Sequence, residues 1–163
     1  MSVYFISDLH IGHRAIPKYR PWIKSVNDQN DWLIAQWNSR NFSKKDVIYI
    51  LGDIIFDPEM AWVLDKLKGQ KWALLGNHDE MDYEFYHKHF DKVVHFKKKY
   101  GFWLSHCPMH PAELRGKKNI HGHVHQKIIQ DKNYISVCVE SCNGVPVLLD
   151  DIRDGKYDGR VVV

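Results

Sequence analysis

Short apolar runs in this chain end abruptly in residues that carry oxygen or imidazole donors, and that coupling constrains the fold more than any other feature. Val3 to Ser7 leads into Asp8-Leu9-His10, Val47 to Leu51 into Gly52-Asp53, Trp72 to Leu75 into Gly76-Asn77-His78-Asp79, and Phe102 to Leu104 into Ser105-His106. A fifth segment, Gly122-His123-Val124-His125, follows Asn119 to His121. Compact apolar runs bounded by Gly and Asp read as buried β-strands. Strands that deliver Asp, Asn and His to one sheet edge are what a site for two cations held ~3.5–4 Å apart requires. None of the five segments supplies a thiolate as read.

The spaces between the early strands carry helical signals. Residues 27–42 place Trp32, Leu33, Ala35, Gln36, Trp37 and Phe42 on one stripe, with Asn27 or Asp28 as the expected N-cap. Pro58 suits a first helical turn, and Met60, Val63, Leu64 and Leu67 share a face before Gly69 ends the helix. The β-α-β-α-β alternation predicts an α/β fold with a largely parallel sheet in the first half. From about residue 93 the texture changes. Val93 to Phe96, Phe102 to Ser105, Asn119 to His121 and Tyr134 to Val139 are expected strands with short links, forming a second, antiparallel or mixed sheet packed on the first. Pro146 to Arg153 is expected as a short helix and Gly159 to Val163 as a last strand.

At 163 residues the chain is expected to form a single domain, residues 1–163, with room for a proper core. No apolar run reaches the ~20 residues of a membrane span. The opening lacks a basic region and meets Asp8 too early for a signal peptide, so the chain is expected in the cytoplasm. Cys107, Cys138 and Cys142 cannot all pair within one chain and are expected as reduced thiols. A formal charge of +3 gives little reason to expect nucleic acid. Lys97-Lys98-Lys99 and Lys117-Lys118 read as solvated faces or hairpin turns.

Each donor pair is weak evidence alone. Asp8 and His10, two apart just past a strand, would point to one side, and His123 and His125 repeat that geometry. An Asp at a strand end is also an ordinary turn or cap residue. The two oxygens of Asp53 are able to bridge two cations. Asn77 would ligate without adding negative charge, and His78 beside it would donate a proton to a leaving alkoxide. His106 adds another imidazole. The joint pattern is far more telling than its parts.

The order D-x-H, G-D, G-N-H-D, H, G-H-x-H, running from Asp8 to His125, resembles the signature of the calcineurin-like metallophosphoesterases. The opening Asp8-Leu9-His10-Ile11-Gly12-His13, with Ser105-His106-Cys107-Pro108 and His121-Gly122-His123-Val124-His125, is similar to small stand-alone bacterial and phage members. The resemblance implies a four-layer α/β/β/α sandwich of two mixed sheets flanked by helices. It implies a first metal held by Asp8, His10, Asp53 and His125, and a second held by Asp53, Asn77, His106 and His123. It also implies a metal-bridging hydroxide that attacks phosphorus, with His78 as general acid. The expected cofactors are two divalent ions, Mn²⁺ first, with Fe, Zn²⁺ or Ni²⁺ as alternatives.

Two departures narrow the substrate. The protein phosphatase branch carries an extended G-D-x-V-D-R-G motif, whereas this chain reads Gly52-Asp53-Ile54-Ile55-Phe56-Asp57. Phe56 stands where that branch has a carboxylate, and no arginine follows to fork a phosphoprotein's phosphate. Asp57 or Asp79 is then the candidate to orient His78. His13 and Arg14, just beyond the first ligands, are candidate substrate contacts together with Asn77. His121 is expected to pack or touch a ligand. His87, His89, His95 and His110 read as ordinary, and the tryptophans as core residues. The expected activity is phosphodiester hydrolysis of a small phosphoester, such as a nucleotide, in an open site. The alternatives are a phosphomonoesterase acting on small molecules, then a nuclease, then a metal-binding scaffold without catalysis.

Overall fold

The structure, a computed structural model, describes residues 1–158; the expected strand from Gly159 to Val163 lies outside the described residues. Two sheets form its centre. The first has the order β4-β3-β2-β1-β9, from β1 (Val3–Ile6), β2 (Val47–Leu51), β3 (Gln70–Leu74), β4 (Lys92–Val94) and β9 (Val147–Leu148). Its four leading strands are parallel, and β9 closes the edge antiparallel to β1. The second runs β5-β6-β7-β8, from β5 (Lys97–Lys99), β6 (Phe102–Leu104), β7 (Asn119–His121) and β8 (Tyr134–Ser136). Only its β5–β6 pair is antiparallel.

Alternation along β1 and β2 explains why two cores exist. Ile6, Ile48 and Ile50 face α2 (Val26–Asn38), α3 (Trp62–Lys66) and α4 (Tyr83–His89), packing with Leu33, Trp37, Val63, Leu64 and Tyr86. Phe5, Tyr49 and Leu51 face the other way, against Phe102, Leu104, Ile120 and Ile135 of the second sheet. A strand covered on both faces needs the unbroken apolar run that β2 shows. The outer face of the second sheet is covered more thinly. Trp103 donates to the Leu114 carbonyl and Tyr134 to that of Met109, so the segment with the 3₁₀ turn Pro111–Glu113 lies there. The α/β architecture of two mixed sheets flanked by helices is therefore present. Among the described residues, no helix is long and apolar enough to cross a membrane.

Several local expectations change. Ser25, not Asn27 or Asp28, caps α2: its hydroxyl accepts the Asp28 N–H at 3.1 Å, while the Asp28 carboxylate takes the Lys24 N–H at 2.7 Å. Ala35 of the expected apolar stripe is exposed, and Gln29 and Asn30 occupy the buried face. The strand expected from Val93 to Phe96 is β4 (Lys92–Val94) and joins the first sheet, while the lysine triplet, expected as a solvated face or hairpin turn, forms β5, an edge strand whose charge discourages further pairing. Helix α4 had no clear apolar period to announce it. Tyr134 to Val139 ends early as a strand, and Val139 begins α5 (Val139–Cys142). Pro146 to Arg153 divides into β9 and α6 (Leu149–Arg153). All three cysteines are free thiols.

Candidate metal centre

Past the ends of β1, β2 and β7 the backbone turns sharply. Asp8, His10, Asp53, His123 and His125 all have φ between 49° and 71°, five of the eight non-glycine residues at positive φ among those described. Left-handed backbone is costly for residues with a Cβ and gathers at functional sites. It also corrects the strand-based picture of the D-x-H and H-x-H pairs. Their side chains converge because each donor sits in a left-handed kink, not because of extended alternation.

The sheets meet here. Ser7 N–H donates to the Val137 carbonyl at 2.8 Å, and Val139 N–H returns to the Ser7 carbonyl at 3.0 Å. This stitches the end of β1 to the strand that leads into α5. Close approach then depends on glycine. A Cβ on Gly76 would lie 2.3 Å from Asp53 Oδ1, and one on Gly122 would lie 1.9 Å from Ser7 Oγ and 2.5 Å from Asp8 Oδ2.

Two groups of donors result, and Asp53 belongs to both. In the first, His10 Nε2 lies 3.8 Å from Asp8 Oδ1 and 3.7 Å from Asp53 Oδ2, and His125 Nε2 lies 3.7 Å from Asp8 Oδ1. These spacings are too long for hydrogen bonds and short enough for one cation to share. Neither ring nitrogen of His10 has a hydrogen-bond partner among the described residues, although the ring is buried. In the second group, His106 Nε2 lies 3.3 Å from Asp53 Oδ1, 3.0 Å from Asn77 Oδ1 and 3.2 Å from His123 Nδ1. His106 Nδ1 sits 2.7 Å from the Leu51 carbonyl, an acceptor that fixes the proton on Nδ1. The lone pair of Nε2 then meets two oxygen acceptors, an arrangement that a cation resolves. The residues present thus fit divalent metal at both groups. His123 and His125, two apart in sequence, serve different groups.

Electrostatics follow from the burial. Burial pushes the Asp8 and Asp53 carboxyls up, but the neighbouring imidazoles, with the Ser7 hydroxyl for Asp8 and the His78 N–H for Asp53, hold both below the usual carboxylate range. His106 is raised despite burial, because Asp53 and Asp8 favour its cation. His125 is raised first by its hydrogen bond to Glu140. Cys107 brings an unforeseen sulfur into one grouping with His106 and His123, with donor atoms within 4.8 Å of one another. Burial and the charges of Asp53 and Asp8 raise its pKa, so it stands as a neutral thiol.

A cleft of about 710 Å³ opens onto the centre, lined among others by His13, Ile16, Tyr19, Phe56, His78, His123, Val124, Lys127 and Glu140. His78 is exposed at its edge, with its ring centroid 5.3 Å from Phe56 and its backbone N–H on Asp53 Oδ1 at 3.0 Å. Neither suggested carboxylate is directed at it. Asp79 spends its oxygens on the N–H groups of Asp53, Ile54 and Gly76, each at 2.8 Å, and Asp57 caps the Pro58 turn. Phe56 instead packs on His10, His13 and His78, with centroids at 5.0, 4.5 and 5.3 Å. Arg14 is exposed and does not line the cleft. His121 is buried beside Tyr134, with Nδ1 2.8 Å from the Gly122 carbonyl.

The sequence concealed three polar residues behind the first group. Arg20, Gln29 and Glu140 carry buried side chains that reach the Asp8–His10 backbone and the His125 ring. A glutamate within the mostly apolar stretch Ile135 to Cys142 was the one available hint.

Nitrogen and oxygen donors gathered at the carboxyl ends of sandwiched sheets make a centre suited to divalent metal. The sequence matches the calcineurin-like phosphoesterase family over residues 1–137, and the chain belongs to that family. It is 33% identical over 175 aligned positions to an uncharacterised protein of Methanocaldococcus jannaschii, covering 99% of this chain and 94% of that one. It is 37% identical over 84 positions to the Gene 66 protein of Mycobacterium phage D29, covering 48% of this chain and 40% of the phage protein. The crystal structure of a protein of unknown function from Aquifex aeolicus shares the fold, with a TM-score of 0.74, 24% identity, and coverage of 94% of this chain and 98% of that one.

Proposed function

We propose that the protein is a phosphodiesterase with a dinuclear metal centre, acting on a small phosphodiester. The observation that carries this reading is the division of Asp53, whose Oδ2 faces His10 and whose Oδ1 faces His106. Asp8, His10, Asp53 and His125 would hold one ion, and Asp53, Asn77, His106 and His123 the other. Two divalent cations supply, when bound, Lewis acidity toward phosphoryl oxygens and a nucleophile at neutral pH. Nitrogen and oxygen donors suit Mn²⁺, with Fe, Zn²⁺ and Ni²⁺ as competitors.

The chain's own residues do the rest. The oxygen of a water that has given one proton to solvent bonds to phosphorus as the bond to the leaving oxygen breaks, while His78 gives that oxygen a proton and regains one from solvent. Phe56 keeps the His78 ring against one wall. Asn77 and His13 border the phosphoryl group. Diester preference is supported by the lining, which offers one lysine, no arginine and the apolar surfaces of Ile16, Tyr19, Phe56 and Val124. A monoanion carrying two organic groups matches such a cleft better than a dianion, which calls for guanidinium forks.

Mn²⁺-loaded protein should hydrolyse bis(p-nitrophenyl) phosphate with a higher kcat/KM than p-nitrophenyl phosphate. His78→Ala should lower kcat about 10²–10⁴-fold on a diester with an aliphatic alcohol as leaving group. Its metal content should stay unchanged. A preference for the monoester, or metal loss in His78→Ala, would refute the assignment.

A further inference from the structure

A buried charged pair lies directly behind one donor group. Arg20 follows α1 (Ile16–Tyr19) and Glu140 lies in α5, 120 residues away in sequence. Their side chains are 1% and 5% exposed. Glu140 Oε1 accepts from Arg20 Nε at 2.8 Å and lies 3.1 Å from His125 Nδ1. The rest of the guanidinium donates to the carbonyl oxygens of Asp8 at 2.6 Å and Leu9 at 3.2 Å, and to Gln29 Oε1 at 2.8 Å. Gln29 Nε2 in turn donates to the carbonyls of Leu9 at 3.2 Å and His10 at 2.9 Å. One connected network therefore fixes the backbone at Asp8 and His10 and the imidazole of His125.

The second group is braced differently. His106 Nδ1 faces the neutral Leu51 carbonyl. An imidazole whose Nδ1–H donates to a carboxylate is locked in the tautomer that offers Nε2, and becomes a stronger donor than one bonded to a neutral acceptor. Stability alone is a poor account of the pair, since burying two charges costs about as much as their attraction returns. It also gives no reason for the contacts to His125 and the Asp8 carbonyl.

We propose that Arg20, Gln29 and Glu140 are positioning residues that make the Asp8–His10–His125 group the tighter of two unequal cation sites. This inference rests on the dinuclear reading above. The test is titration of the metal-free full chain with Mn²⁺ alone, following free ion by electron paramagnetic resonance. The wild-type chain should show a tight and a weak class, and His125→Ala should abolish the tight one. Glu140→Gln should weaken the tight class about 10–100-fold and leave the weak class in place. Because Glu140→Gln strands Arg20 without a counter-charge, Glu140→Asp is measured beside it. That variant keeps the charge near Arg20 but draws the carboxylate away from His125, and the same selective weakening is expected while thermal unfolding still shows a folded chain. Equal weakening of both classes, or no weakening in a folded Glu140→Asp chain, overturns the proposal. A wild-type chain that binds a single ion fails the dinuclear reading itself, and the inference with it.

Discussion

The two donor groups share Asp53 and are held in place by opposite means. The group of Asp8, His10 and His125 is braced by buried side chains, Arg20, Gln29 and Glu140, drawn from distant parts of the chain. The group of Asn77, His106 and His123 is braced by main chain: the Leu51 carbonyl under His106, and the N–H groups of Asp53, Ile54 and Gly76 gathered onto Asp79. Asp79 shows the cost of that second method, since burial raises its pKa despite three N–H donors. Side-chain bracing adjusts how strongly a ligand donates. Main-chain bracing fixes where a ligand sits.

The most disruptive way to break the comparison is to remove what both groups share. Asp53→Asn replaces a carboxylate with an amide that offers one acceptor oxygen, and its NH₂ would face one of the imidazole nitrogens. Both metal classes should weaken together, and activity should fall by more than the ~10–100-fold typical for loss of a residue outside the ligand set. Metal analysis after dialysis, read beside kcat/KM, checks this. Retention of one full equivalent of tightly bound ion would show that the groups do not share Asp53.

Glycine substitutions separate the groups more gently. Gly122→Ala drives a methyl into Ser7 Oγ and Asp8 Oδ2, so it should disturb the first group most, and His123 less, through its N–H on Asp8. Gly76→Ala meets Asp53 Oδ1 and the Asp53 backbone nitrogen, at 2.3 and 2.6 Å, and should disturb both. Each overpacking should cost about 1–3 kcal/mol of stability in denaturant titration of the metal-free chain. The Mn²⁺ titration then discriminates: the tight class should move more than the weak one in Gly122→Ala. Identical binding profiles in the two variants would contradict the separation.

The main-chain half of the centre was legible in the sequence, and the side-chain half was not. Strand β2 has the expected bounds Val47–Leu51, because a strand covered on both faces must be uniformly apolar, and β7 has the expected Asn119–His121 although Ile120 is its one apolar residue. Asp8, Asp53, Asn77, His106, His123 and His125 lie within a few residues of the ends of β1, β2, β3, β6 and β7. Arg20, Gln29 and Glu140 left no trace in periodicity, since their partners lie 9 to 120 residues away. Gln29 even falls on the buried face of α2, where a pattern reading expects an apolar residue. Arg14 drew notice for its nearness in sequence to His10 and His13, but it is Arg20 that folds back beneath them. β9 was missed for a related reason: a two-residue strand takes its identity from Tyr4 and Phe5 across the sheet, not from its own composition.

Acid should expose the side-chain brace on its own, with the smallest effect of the three. Glu140 lies below its ordinary value of 4.5: burial would raise it, but His125 and Arg20 outweigh burial. A carboxyl with a lowered folded pKa contributes stability in full above its unfolded pKa, and loses it as pH falls through the folded value. His125, raised in the fold from 6.5, contributes fully below 6.5 and is therefore constant over that acid range. The metal-free wild type should thus be more stable than Glu140→Gln at pH above 4.5, and the gap should close as the medium becomes more acid. Asp8 and Asp53 lose stability in both chains alike, and Asp79, raised by burial, acts in the opposite sense in both, so none of them alters the difference. Denaturant midpoints of the two chains across the acid range measure it directly. A gap that persists unchanged into strong acid would mean that Glu140 contributes by packing instead of charge, and the two donor groups would then be braced by the same kind of force.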